Sequence, residues 1–431
     1  VIHASARASA ILLAISFAPL AAATDYFVAT DGDDGNAGTQ NDPWRTLQHA
    51  ADNVGPGDTV SVRAGNYVGA NIETSGTSSA PIVFQAFGSE VPSITDDNPD
   101  TPDGFNLEGA SYVTVQGFTI EGRSRAGIRA VECDHVTLRD NHTDGNGTWG
   151  IFTGFCDDLL IENNVAANSG EQHGIYVSNS GDRPVIRGNT IYGNNAAGIH
   201  MNGDGSEGGD GIISDAIVEN NIIYDNGPGG GSGINCDGVQ DSIIRNNLIY
   251  DEHASGISLY QIDGGGPSSG NLILNNTVLV ASNGRWALNI QDGAVNNTAR
   301  NNILWNAHSF RGSIDISPDS LPGFSDDNNA VMDRFTTDGG DSVMTLSEWQ
   351  GETSLDGDSF VSTPNELFTN AAGDDYSLSA SSPAVDAGET RNEVPGDILG
   401  VARPQGAAFD VGAYERHATS NVDPIFTDGF E

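Results

Sequence analysis

One phrase constrains this chain more than any other: a small residue followed by an apolar one, returning at nearly even spacing. It occurs at Gly104-Phe105, Gly127-Ile128, Gly150-Ile151, Gly174-Ile175, Gly198-Ile199, Gly233-Ile234, Gly256-Ile257, Ala287-Leu288 and Ser313-Ile314, in steps of 23, 23, 24, 24, 35, 23, 31 and 26 residues. A second landmark follows in each unit, the column Asn141, Asn164, Asn189, Asn221, Asn247, Asn276 and Asn302, set in phrases such as "VIRGNTI" and "IVENNII". Units this short cannot bury an apolar face alone and must stack on their neighbours. Within a unit the apolar residues alternate with polar ones, as in Ile175, Val177 and Val185, which is strand periodicity. The repeat therefore predicts an all-β solenoid, a parallel β-helix of about ten coils, with 55 glycines feeding its turns. An asparagine at one fixed turn of every coil can bond its amide up and down the stack, so the column has a structural purpose.

The same alignment says which side chains face outward, because alternate strand residues point to opposite faces. One outward column is Arg129, Phe152, Tyr176, His200, Asn235, Ser258, Asn289 and Asp315. A second, two residues on, is Val131, Gly154, Ser178, Asn202, Asp237, Tyr260, Gln291 and Ser317. The two longest units carry insertions, "GDGSEGGDGIISD" after Asn202 and "QIDGGGPSSG" after Tyr260, one coil either side of Asn235 and Asp237. Long loops on a rigid scaffold are where binding concentrates. The expected site is thus a groove between these loops. Tyr176, His200, His173 and Tyr260 are its catalytic candidates, and Asn202, Asn235, Asp237, His253, Arg285, Asn289, Gln291 and Arg311 its substrate-binding candidates. Asp204, Asp210 and Asp237 could hold calcium.

Cysteine placement fits the register. Cys133 and Cys156 each follow their coil's glycine by six residues, so they stack about 4.8 Å apart, within disulfide range, as a bridge or as a reduced pair. Cys236 falls on an inward position. Residues 1–23 read as a signal peptide: Arg7, the apolar run Ile11 to Leu20, then three alanines. An exported chain without membrane insertion is expected, and a monomer. Against 59 acids stand 17 basic residues, all arginine, a formal charge of −42. That field repels nucleic acids and anionic membranes. A polyanionic substrate would need local arginines or divalent cations, with calcium the possible cofactor.

On these repeats the chain resembles the secreted right-handed parallel β-helix proteins that include pectate, alginate and chondroitin lyases. "DYFVATDGDDGNAGTQNDPWRTLQHAADNVGPGDTVSVRAGNY" is similar to their N-terminal cap, with a short helix from Pro43 to about Asn53. "SPAVDAG", "GVARPQG" and "FDVGAYE" resemble a terminal segment of such proteins, and "NVDPIFTDGFE" an exported-protein tail. The implied organisation is one domain over 24–417, with a cap at 24–70, a C-terminal segment at 320–417 and a tail at 418–431.

The resemblance implies a secreted polysaccharide-degrading enzyme. β-Elimination from a uronic-acid polymer, alginate-like or pectate-like, needs a neutralised carboxylate, a base for the C5 proton and an acid for the leaving oxygen; His, Tyr and Arg in the groove supply these types. Relatives that use a lysine base cannot be copied, because this chain has no lysine. A glycoside hydrolase needs two carboxyls about 5 to 9.5 Å apart. It would have to bring Asp204, Asp210 or Asp263 from the loops to Asp237. A surface protein that only binds glycan explains the fold equally, though not the His, Tyr and Arg beside inserted loops.

Overall fold

The structure is a computed structural model that describes residues 23–416. Of the expected signal peptide only Ala23 falls within that range, and the tail 418–431 lies outside it. The chain winds into a parallel β-helix with three long sheets of 12, 11 and 12 strands. About twelve turns are present where the repeat suggested ten. The early coils were missed because they lack the small-apolar phrase: strand Ala70–Ile72 opens the 11-stranded sheet and pairs directly with Phe105–Glu108.

Register follows the repeat. Ile151, Ile175, Ile199, Ile234 and Ile257 lie on successive rungs and are fully buried. Each removes about 2 kcal/mol worth of apolar surface from water. The asparagine column is a continuous ladder. The side-chain oxygen of Asn164 accepts the backbone N–H of Asn141, and the same step repeats through Asn189, Asn221, Asn247, Asn276 and Asn302 to Asn329. The doubled asparagines have separate tasks. The first, as at Asn163, Asn220, Asn246, Asn275 and Asn301, takes φ between 51° and 57° to turn the chain, a conformation asparagine tolerates well. The second is buried in the ladder.

Two further ladders run elsewhere. One goes from Ser169 through Asn194 and Asn226 to the buried Glu252, the other from Ser242 through Asn271 to Asn297. Cys133 and Cys156 are joined in a disulfide, their Cα atoms 4.5 Å apart, and Cys236 is buried and free.

The ends are closed as a solenoid requires. At the N-terminal end the helix is Leu47–Asn53, shorter than expected, with Thr46 as its N-cap. Asp34 of the "DGDDGNAG" stretch accepts the N–H groups of Arg45 and Thr46 and the Thr46 hydroxyl, so that acidic stretch ties down the cap. At the other end helix Leu346–Thr353 lays the fully buried Trp349 flat on Phe335, rings 5.3 Å apart. The rest of the C-terminal segment runs back along the solenoid. Asn246, Asn275 and Asn301 donate to the carbonyls of Gly396, Asp410 and Glu389, and Tyr376, Val411 and Tyr414 cover Leu248, Tyr250 and Ile303.

Candidate active site

The 11-stranded sheet carries the outward columns in the expected register. Arg129, Phe152, Tyr176, His200, Asn235, Ser258, Asn289 and Asp315 pair rung by rung, and so do Ser178, Asn202, Asp237 and Tyr260.

The inserted loops depart from expectation. They do not stand either side of the polar patch; they close on each other. The N–H of Gly205 bonds the carbonyl of Asp263, and that of Gly265 the carbonyl of Gly211. A Cβ on Gly265 would lie 2.1 Å from the Asp210 carbonyl, and one on Gly264 2.6 Å from the Gly238 Cα. Glycine is therefore required for the backbones to meet, and the two insertions form one wall along one edge of the sheet.

Asp237 is the pin of that wall. Its carboxylate, 1 % exposed, accepts the N–H groups of Ile262, Asp263 and Gly264 at 2.8 to 3.0 Å. Asp204 accepts from Ser206 and Asp210 from Ile212, each within its own loop. Of the expected calcium set, Asp237 thus has both oxygens engaged and Asp204 and Asp210 one each, and the three are not among the described residues whose ligating atoms come together. Among the described residues one triad brings its ligating atoms together, Asp134, His135 and Asp158, away from the groove and with Asp158 already held by Arg183.

Four of the expected residues do converge. His173 Nδ1 accepts the backbone N–H of Ala197 at 3.1 Å, so its proton sits on Nε2. That nitrogen faces Nδ1 of His200 at 3.1 Å and must donate to it. The proton of His200 is therefore on Nε2, which faces the Tyr260 hydroxyl at 3.5 Å. Asn235 donates its amide to the same hydroxyl oxygen at 2.6 Å. Two donors on the oxygen leave the Tyr260 proton free to point into the groove. Tyr176 stacks on His200, ring centroids 5.0 Å apart and planes 12° from parallel, while its hydroxyl takes a bond from Asn202.

Burial keeps the imidazoles neutral: it pushes His173 down to about 4, and burial with the neighbouring His173 pushes His200 well down. Burial, seconded by the charge of Asp237, pushes Tyr260 up, and burial pushes Tyr176 up.

Beyond Tyr260 the groove deepens into a cavity of about 320 Å³ lined by Asn235, Ser258, Tyr260, Arg285, Asn289 and Gln291. Gln291 bonds Asn289, which reaches Ser258. Arg285 is exposed at its rim. Arg311, one coil on, donates to the Gly284 carbonyl. His253 is not with the others. Its nitrogens face Asn283 and Asp225 on adjacent coils at 2.9 and 2.7 Å, and both partners raise its pKa.

One groove residue and one residue at the edge of the same sheet were missed. Trp149 occupies the His173 position one coil earlier and packs on Phe152, rings 4.6 Å apart, beside Tyr176. Its signal was its place just before Gly150. Arg334 was missed because its coil lacks the small-apolar phrase.

A family profile described as "Pel9A-like, right handed beta helix region" matches residues 26–169, and one described as "Right handed beta helix region" matches 161–320. The fold and the groove define a right-handed parallel β-helix protein similar to the pectate and alginate lyases. A crystal structure of pectate lyase Pel9A matches with a TM-score of 0.63 at 17% identity, over 93% of this chain and 98% of that one. Among curated proteins, the uncharacterized protein YwoF of Bacillus subtilis (strain 168) is 26% identical over 206 residues, 42% of this chain and 44% of its own. Pectate lyase PEL9 of Emericella nidulans is 37% identical over 87 residues, 20% of this chain and 21% of its own. The matches thus span less than half the length of either relative.

Proposed function

We propose that this protein is a polysaccharide lyase that cleaves a uronic-acid-containing glycan by β-elimination, with Tyr260 as the proton-transfer residue. The observation that carries this reading is the convergence of the Asn235 amide and the His200 Nε2–H on one phenolic oxygen beside a cavity that also holds Arg285. The likeness to pectate lyases supports the reaction class.

In the proposed reaction the phenolate of Tyr260 takes the C5 proton, the C4–O bond breaks, and the same oxygen returns the proton to the departing O4. Where H5 and O4 lie on one face of the sugar, as in mannuronate and glucuronate, both leave toward Tyr260 and the tyrosine ends as it began. The two donors stabilise the phenolate, and Arg285 neutralises the substrate carboxylate, which makes the C5 proton acidic. His173 and His200 are positioning residues: their fixed tautomers keep a donor aimed at Tyr260. Hydrolysis is disfavoured by the carboxyls themselves, since Asp237 is saturated by backbone N–H groups and Asp204 and Asp210 each brace a turn of their own loop. The expected export and monomeric state belong to the same proposal, as does action on extracellular glycan.

The test is to incubate the protein with polygalacturonate, alginate and glucuronan in the presence of a chelator and follow the ultraviolet absorbance of the unsaturated uronate. Product from one of them is expected. New reducing ends from a neutral glycan, with no unsaturated product from any uronate, would overturn it.

A further inference from the structure

We propose that Arg285, Arg311 and Arg334 form a row of anion subsites that holds at least three successive carboxylates of the glycan, running from Tyr260 toward the C-terminal end of the solenoid. The chemistry of the ligand rests on the lyase reading; the row itself rests on the arginines.

In a chain of formal charge −42, cations are scarce and most are spent. Eleven arginines are ion-paired with carboxylates. Five described arginines are in no ion pair: Arg45 precedes the N-terminal cap helix and Arg416 is the last described residue, whereas Arg285, Arg311 and Arg334 fall on consecutive coils at one edge of the site sheet. Leu288 pairs with Ile314, so Arg285 and Arg311, each three residues earlier, share a register position. Ile314 pairs with Phe335, which Arg334 directly precedes.

Backbone carbonyls steady two of the three. Arg311 Nη1 donates to Gly284 at 2.8 Å, and Arg334 Nη1 donates to Ser309 at 2.6 Å and His308 at 3.3 Å. Each carbonyl occupies one nitrogen and leaves the rest of the fork for a carboxylate. Phe310, 46% exposed, lies under the Arg311 guanidinium at 5.6 Å. A carboxyl that also feels Arg311, Asp315, is 5 % exposed and pushed up by burial, so it competes weakly for the cation.

Coils rise by about 4.8 Å, close to the advance per sugar in an extended glycan, so one arginine per coil matches one carboxylate per sugar. On the other side of His200 the groove offers Trp149, Phe152 and Tyr176 instead, aromatic faces without positive charge. The groove is thereby polarised, with the charged part of the ligand on the C-terminal side of Tyr260.

The experiment is calorimetric binding of galacturonate and mannuronate oligomers, dimer to hexamer, to the full chain carrying Tyr260→Phe. Affinity is expected to rise with length for at least one series, and Arg285→Gln, Arg311→Gln and Arg334→Gln are each expected to weaken the longer oligomers about tenfold. Flat affinity against length, or glutamine variants that bind like the parent, would overturn the row. Preferential binding of a sulfated galactan would overturn the assignment of the bound groups as carboxylates. Arg285 makes no side-chain bond within the described protein, so its variant keeps the test decisive if the other two melt early. Arginine-dependent, length-dependent binding without unsaturated product from the unsubstituted protein would sink the lyase reading and leave the row standing. Unsaturated product with arginine-independent affinity would do the reverse.

Discussion

The chemistry of this groove is decided by where four protons sit. Because Ala197 donates to His173, each histidine is fixed in one tautomer and the last donor in the line faces Tyr260. Replacing Tyr260 by Phe removes only the hydroxyl, and turnover is expected to fall by at least about 100-fold, with melting unchanged; retention of activity would move the chemistry elsewhere. A pH profile reads the same arrangement. Tyr260 must ionise to accept a proton and burial pushes its pKa up, so the rate should climb through the alkaline range. His173, pushed down to about 4 by burial, and His200, pushed well down, contribute no limb between about pH 5 and 8. A bell centred near neutrality would instead make an imidazole the base. Strand alternation places Tyr176, His200 and Tyr260 outward, but it does not reveal the tautomers, which depend on one backbone N–H a coil away. Nor could it show that His253 is claimed by Asp225 and Asn283, because both contacts cross between coils.

At the scale of elements, ladders and walls do the holding. Asn247 bonds Asn276 above, Asn221 below and the Val218 carbonyl, so Asn247→Ala leaves several buried polar groups unpaired and should cost at least about 3 kcal/mol. Hydrogen exchange is the suitable measurement, with faster exchange expected in the coils around it and the ends spared, since solenoid stability is local.

Glu252 closes another ladder with one carboxylate oxygen lacking a partner, and burial pushes it up to about 8. A carboxyl raised in the folded state contributes stability that is full below its ordinary value of 4.5 and is lost as pH rises through about 8. The melting temperature should therefore decline across that window, and Glu252→Gln should flatten the decline; an unchanged slope would clear Glu252 of responsibility.

The loop wall depends on Asp237, whose Asn variant would set an amide N–H against backbone donors. Limited proteolysis should then cut within 203–212 or 261–270 first.

At the scale of the whole molecule, a solenoid has two ends and a side to protect, and this chain covers each with its own sequence. Trp349 caps the last coils, and the returning C-terminal segment covers Tyr250 and its neighbours. A net charge of −42 repels anions in general, so the proposed row Arg285, Arg311 and Arg334 would direct an anionic ligand to one edge of one sheet.

Much of this was legible in the sequence, because stacking one coil on the next is a local, periodic problem: small-apolar phrases set the rungs, doubled asparagines set a turn and a ladder, and alternation set the outward columns. The coil count fell short where the phrase is absent. Spacing alone specifies the solenoid, its register and the face that carries Tyr176, His200, Asn235 and Tyr260. It took the folded chain to show that the two insertions merge into one wall, that Asp237 holds it through three backbone N–H groups, and that His200 donates toward Tyr260. The physical reason is that register repeats along the chain and can be read from spacing, whereas the partner of a buried polar group is set by which loops and coils meet across space.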